Sequence, residues 1–258
     1  MDDAPALSAC VDIDPDGKGE DYVDVTIENH RYRQICCENC GHEITVPIYC
    51  GDRFCPVCSR PRLARVRRRL EFLIKHTPKE TGYALKFLTL TVQSQPELPT
   101  MLRSITRAFR KLRQRAAWKR RVLGGAFVIE CGYGIAGWHA HIHALIYAKY
   151  FAFERLLKLW LSCSGGRGVF IKLIPPGAAT GYLTKYLSKP ATPESFTEIV
   201  FDSLKGFRLF QPFGIWMKLL KDFHDTRPGC PNCGGHCWLP LDLVYKVNNS
   251  SPWSTDTS

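Results

Sequence analysis

Residues 137–147 read GWHAHIHALIY, with histidines at 139, 141 and 143 inside an otherwise apolar run. Side chains of a β-strand alternate faces. This spacing therefore sets three imidazoles on one side of a sheet and Ala140, Ile142, Ala144 and Ile146 on the other. Three imidazoles among apolar neighbours are costly without a shared purpose, and a divalent cation supplies one. If 124–130 pairs antiparallel with 138–147, Glu130 lies at the end of the neighbouring strand, where its carboxylate can face the rings. Two histidines and a carboxylate with open positions suit Mg²⁺, Mn²⁺ or Zn²⁺ at a centre that still admits a phosphate. An ordinary strand-end ion pair is the alternative for Glu130.

Further along, GYLTKYLSK (181–189) has a second chemical pattern. On a helix Tyr182 and Tyr186 share a face at i and i+4, with Lys185 and Lys189 as a second such pair beside them. A phenol of pKa about 10 is a weak nucleophile at neutral pH. It needs nearby cations and a metal that neutralises the attacked phosphate. Core packing is the alternative for the tyrosines.

Cysteines form the third pattern. CENC (37–40) and CPVC (55–58) are two C-x-x-C pairs separated by fourteen residues, which predicts one zinc ion on Cys37, Cys40, Cys55 and Cys58, with Cys36, His42 and Cys50 as extra candidates. CPNCGGHC offers a second set, Cys230, Cys233, His236 and Cys237, although four ligands within eight residues would be strained and His224 is an alternative fourth. Cys10, Cys131 and Cys163 read as structural or incidental.

The elements that must position these residues follow from periodicity. Residues 1–20 and 248–258 read as disordered. Residues 21–62 read as a small β-rich zinc module and 63–79 as a basic helix started by Pro61. From 80 to 222 strands at 83–92, 124–130, 138–147 and 168–174 alternate with helices at 101–121, 153–163 and 177–189. A knuckle at 223–247 follows. No internal repeat stands out. The reading is an α+β domain, an antiparallel sheet with helices packed on one side, plus the N-terminal zinc module.

Charge points to the partner. The chain has 35 Lys+Arg against 24 Asp+Glu, a formal net charge of +11. Fifteen of those cations lie in two acid-free stretches, 60–69 and 103–121. A solvated helix face usually interleaves acids for i,i+4 pairing, so the pattern favours a phosphate backbone. Arg65, Arg67, Arg68, Arg69, Arg110, Arg113 and Arg120 are the candidate DNA contacts. No run reaches the roughly 18 apolar residues of a membrane span, and the acidic N-terminus is unlike a signal peptide, so a cytoplasmic protein is expected.

HIH followed downstream by YLTKYLSK resembles the HUH endonucleases, in the arrangement of rolling-circle replication initiators of plasmids and single-stranded phages. FLTLTV (87–92) resembles their first motif, WHAHIHALIY the metal motif and YLTKYLSK the tyrosine motif, in the family's order. CGDRFCPVC resembles the end of the cysteine-rich N-terminal region of some plasmid initiators and rolling-circle transposases. The resemblance implies a ferredoxin-like or palm-like core with His141, His143 and Glu130 as ligands of Mg²⁺ or Mn²⁺. His139 becomes an outer contact to the ligands or to substrate. Tyr182 would be the nucleophile, leaving a 5′-phosphotyrosine and a free 3′-hydroxyl. Tyr186 would serve a second cleavage or only the structure, and Lys185 and Lys189 would support the chemistry. Origin DNA, single-stranded or hairpin, is the implied substrate. No phosphate-binding G-x-x-x-x-G-K-[ST] loop is present, so a separate helicase and the host polymerase are expected partners. A rolling-circle transposase with the same site, a metallohydrolase using water, and a non-catalytic zinc-dependent DNA-binding protein are the alternatives.

Overall fold

The computed structural model describes residues 24–27, 30–50, 55–166, 168–187, 196–224 and 229–241. In chain order the elements are β1 (Asp24–Ile27), β2 (His30–Cys37), β3 (Glu43–Pro47), α1 (Pro56–His76), β4 (Ala84–Thr91), α2 (Leu98–Gln114), α3 (Ala116–Lys119), β5 (Val122–Gly134), β6 (Gly137–Ala148), α4 (Phe153–Ser164), β7 (Gly168–Leu173), α5 (Pro176–Thr184), α6 (Thr197–Leu204), β8 (Gln211–Gly214), α7 (Ile215–Leu219) and β9 (Trp238–Pro240). Residues 1–58 with 226–258 form one compact unit, and 59–225 the other.

The larger unit is built on a five-stranded antiparallel sheet in the order β7-β4-β6-β5-β8. β5 and β6 are the long hairpin expected from the short connection between them, and β6 is the central strand. On its even-numbered face Ala140, Ile142, Ala144 and Ile146 are fully buried. α2 lies over that face, its stripe of Leu98, Met101, Leu102, Ile105, Phe109 and Leu112 all buried. Phe109 of this stripe meets Phe127 of β5 edge-on at 4.8 Å.

The odd-numbered face is covered as well, which corrects the expectation of helices on one side only. Leu145 and Tyr147 of β6 pack with Val66, Leu70 and Leu73 of α1 and with Ala179 and Leu183 of α5. The physical reason is visible in α1 itself. Its arginine run is interrupted by apolar residues three and four apart, enough for a buried stripe beneath the cations. α1 also begins at Pro56, before Pro61, which lies inside the helix. The helix expected over 101–121 breaks at Arg115, whose extended backbone separates α2 from α3.

Gly125 permits a close approach of β5 and β6 in the sheet. A Cβ there would lie 2.3 Å from the Leu145 carbonyl oxygen and 3.0 Å from Ile146 Cα, both backbone atoms that cannot yield. Gly125→Ala is expected to cost about 2–4 kcal/mol in denaturant unfolding. A change below about 0.5 kcal/mol would contradict this packing.

The smaller unit is a four-stranded antiparallel sheet in which β2 pairs with β1, β3 and β9. Its buried core is Ile35, Cys37, Cys230 and Trp238, with Ile44 and Val46 against it. Residues 229–241 thus complete the N-terminal sheet and do not form a separate knuckle. The expectations of disorder at 1–20 and 248–258 lie outside the described residues, as does Lys189.

Candidate active site

Strand register builds the site row by row. Thr91 of β4, His141 of β6 and Glu130 of β5 are neighbours across the sheet, and Thr89, His143 and Val128 form the adjacent row. One row further, His139 faces Gly132. Gly132 makes room for that ring, since a Cβ there would lie 2.3 Å from His139 Nε2. The alternation read from the sequence therefore holds, and all three histidines share a face with Glu130.

Each imidazole is fixed by polar neighbours. Nδ1 of His141 shares a hydrogen bond with Thr91 Oγ1 at 2.9 Å, and Nδ1 of His143 one with Thr89 Oγ1 at 3.1 Å. Anchoring Nδ1 in this way leaves Nε2 as the nitrogen on each ring that could take a metal or another partner. The two threonines stand in FLTLTV, where their period-two spacing was the signal for a shared face. Glu130 reaches diagonally to His143, Oε2 to Nε2 at 2.7 Å. That hydrogen bond, together with the positive potential of the three histidines, holds the Glu130 carboxyl below its usual range against the opposing effect of burial. Burial first, then His143 and His139, pushes His141 below the usual imidazole range, which favours the neutral, ligand-competent ring.

These donors suit a divalent ion: two imidazoles with anchored Nδ1 atoms and one ionised carboxylate. Among the described residues, the groups whose ligand atoms all converge within 4.8 Å are two cysteine clusters. The histidine row is not one of them; its Glu130 carboxylate is bonded to His143.

The tyrosine segment lies over the same face. α5 ends at Thr184, and the next turns close with shorter-range bonds, Tyr186 N–H to Leu183 O at 3.3 Å and Leu187 N–H to Thr184 O at 3.0 Å. The helix expected over 177–189 is therefore shorter, but both tyrosines still point at Phe87, with ring centroids 5.6 Å away for Tyr182 and 5.9 Å for Tyr186. Their environments differ. Tyr186 stacks on His143 with centroids 3.6 Å apart and planes 11° from parallel. Tyr182 accepts a hydrogen bond from Lys172 Nζ at 2.6 Å. That bond and the charge of Lys172, with a smaller contribution from Lys185, draw the Tyr182 hydroxyl below its ordinary range. Lys185 Nζ lies 5.4 Å from the Tyr182 ring centre and 4.7 Å from that of Tyr186. Lys172 was not legible as a site residue, because only the β4–β7 register, which pairs it with Phe87, brings it under Tyr182.

The candidate DNA contacts divide. Arg67 is exposed and lines an open cleft with Lys75 of α1 and Gly177, Thr180 and Gly181 of α5, beside the tyrosine segment. Arg65, Arg68 and Arg69 are half-buried on the same helix, whereas Arg110 and Arg120 are exposed. Arg120 lines a separate cleft with Arg121, Lys149 and Tyr150. Arg113 departs from the expectation. Its guanidinium lies 5.0, 5.8 and 5.3 Å from the ring centres of Phe109, Phe127 and Phe213, so it is held in an aromatic cluster and not offered to a phosphate.

The cysteines of the smaller unit are also regrouped. Cys37 and Cys40 converge with Cys230 and Cys233, and Cys55 and Cys58 with Cys50. This replaces the single set of Cys37, Cys40, Cys55 and Cys58, because β9 carries the C-terminal pair to the end of β2. His236 and Cys237 lie outside both groups. Both clusters can hold a metal such as zinc. The His42 backbone N–H, then Asn232, draws Cys40 down to about 6. Although the Gly235 N–H favours its thiolate, Cys233 is pushed up to about 12 by its neighbours Cys40, Cys37 and Cys230. Sulfurs this close cannot all ionise unless a cation joins them.

Residues 42–163 match the family model described as a replication protein. That segment, a little under half of the chain, is similar to the replication-protein family. The matched segment runs from β3 into α4 and contains the histidine row and Glu130, while Tyr182 and Tyr186 lie beyond it. A curated relative, "Protein rep" of Lactiplantibacillus plantarum, is 29% identical over 127 residues, covering 43% of this chain and 40% of the relative. The chain thus spans well under two thirds of that relative's length. No solved structure matches the chain. No helix among the described residues is long and apolar enough to cross a membrane.

Proposed function

We propose that the protein initiates rolling-circle replication by nicking and rejoining one DNA strand through Tyr182. The observation that carries this reading is the placement of a lysine-held phenol over the sheet face that displays His141, His143 and Glu130. Tyr182 Oη attacks the scissile phosphorus as the bond to the 3′ oxygen breaks. The phenolic proton leaves to solvent, the 3′ oxygen takes up a proton, and a 5′-phosphotyrosine and a free 3′-hydroxyl result. Rejoining is the reverse transfer, so the phosphodiester linkage is conserved without ATP. Mg²⁺ or Mn²⁺, held by His141, His143 and Glu130, would neutralise charge on the attacked phosphate. The free 3′-hydroxyl suits a host polymerase, with strand separation left to another protein.

Lys172 stabilises the phenolate, and Lys185 adds positive charge beside both rings. Tyr186 holds the His143 ring by stacking, which favours a structural part for it in the first cleavage. Arg67 and Lys75 would carry the incoming backbone past α5, with Arg65, Arg68, Arg69, Arg110 and Arg120 as outer phosphate contacts.

The reading is tested by incubating the full chain and Mn²⁺ with single-stranded DNA carrying the origin of its own replicon. The expected product is a protein–DNA adduct that survives a denaturing gel. Nicked DNA without adduct would instead support hydrolysis by water at the histidine row. Lys172→Met should slow adduct formation about 10–100-fold at neutral pH. Because Lys172 lowers the Tyr182 pKa, its loss should move the rise in rate to higher pH, with activity partly regained in alkali. An unchanged pH profile would remove Lys172 from the chemistry.

A further inference from the structure

Residues 37–41 and 230–234 read CENCG and CPNCG, two copies of Cys-x-Asn-Cys-Gly. They fold alike. The glycine of each copy has positive φ, 70° at Gly41 and 74° at Gly234. Its N–H donates to the carbonyl of the first cysteine, at 2.8 Å in Cys37 and 2.7 Å in Cys230. The first cysteine's own N–H donates five residues ahead, to His42 O at 2.9 Å and to Gly235 O at 2.6 Å. In each copy the residue after the glycine directs its N–H at the second sulfur, Gly235 to Cys233 at 3.4 Å and His42 to Cys40. A turn closed in this way aims both of its sulfurs at one point and favours thiolates.

The two turns face each other. Cys37 Sγ lies 3.6 Å from Cys233 Sγ, and Cys40 Sγ lies 3.6 Å from Cys230 Sγ. These separations far exceed a disulfide bond of about 2.05 Å. They approach the edge of about 3.8 Å that a tetrahedron with Zn–S bonds of about 2.3 Å requires. One cysteine of each turn, Cys37 and Cys230, is buried, and the other, Cys40 and Cys233, is exposed.

We propose that a single zinc ion binds Cys37, Cys40, Cys230 and Cys233 and fastens residues 229–241 to the N-terminal sheet. Four thiolates and no open position suit a structural zinc and disfavour Mg²⁺ or Ca²⁺. The unit needs such a fastening. Among the described residues its core cluster has four buried residues, and β9 contributes a ladder of three residue pairs. Apolar burial on that scale does not hold a fold alone. The site is separate from the group at Cys50, Cys55 and Cys58, in which Cys50 Sγ is 3.7 Å from Cys58 Sγ.

The test uses the full chain purified under reducing conditions. Its zinc content is measured by mass spectrometry, and the alkylation rate of each cysteine is followed by peptide mapping. Cys230→Ser/Cys233→Ser should lose one zinc per chain and speed alkylation of Cys37 and Cys40 by on the order of tenfold or more. Cys50, Cys55 and Cys58 should keep their rates, and Cys36→Ala should change neither quantity. Wild-type zinc content in the double variant would overturn the proposal. So would Cys55→Ser exposing Cys37 and Cys40, which would restore the grouping of the two N-terminal pairs. Because the double variant can unfold for other reasons, the wild-type chain loaded with ¹¹³Cd supplies an independent reading. A resonance in the tetrathiolate range is expected, and its absence, or disulfides among these four cysteines, would also overturn the proposal.

Discussion

Tyr182→Phe is expected to abolish the protein–DNA adduct, by a factor on the order of 10⁴ or more, because it deletes the oxygen we propose as the nucleophile. The loss should come with an unchanged melting temperature, since that oxygen's described partner is Lys172 at the surface. Tyr186 is expected to behave differently. Tyr186→Phe keeps the ring that stacks on His143 at 3.6 Å and should retain the first cleavage within about tenfold, whereas Tyr186→Ala removes the stack and should fall further. Comparing phenylalanine with alanine at 186 separates the ring from the hydroxyl. An adduct that survives Tyr182→Phe and disappears in Tyr186→Phe would exchange the two roles.

The second large effect is expected at His143. Its ring is bonded to Glu130 and Thr89 and lies under Tyr186, so His143→Ala removes one of the proposed metal ligands and releases three side chains around it. Adduct formation with Mn²⁺ should fall on the order of 10³-fold. Glu130→Gln keeps the size of the side chain and loses its charge, and should weaken the Mn²⁺ dependence with a smaller effect on rate. Titration of activity against Mn²⁺ concentration, with melting curves as the fold control, checks both. A His143→Ala protein as active as the parent would show that the row is not the metal centre.

The sequence showed some parts of this site and concealed others. The row of His139, His141 and His143 was legible because a strand has period two, and Glu130 followed from the antiparallel hairpin. Lys172 was not, since its place depends on β7 pairing with β4 across an intervening helix. The cover on the histidine face was missed because arginines dominate α1 and masked its apolar stripe at Val66, Leu70 and Leu73. Arg113 differs from the exposed arginines of α2 only by its position above three rings that distant strands supply. The cysteine grouping failed for a related reason. Pairing CENC with the next C-x-x-C assumes that ligands close in sequence are close in space, but β9 runs back beside β2. The repeat of Cys-x-Asn-Cys-Gly was the available signal.

The smaller unit is assembled from both flanks of the larger one, which sets an order of events during synthesis. All residues of the 59–225 unit have been made before Cys230 is reached. The N-terminal sheet waits for partners such as Cys230, 190 positions after Cys40. At roughly 5–20 residues per second that interval is about 10–40 s. Throughout it Cys37 and Cys40 have not met their counterparts, so the nascent N-terminal hairpin stays open to oxidation and to wrong thiol partners.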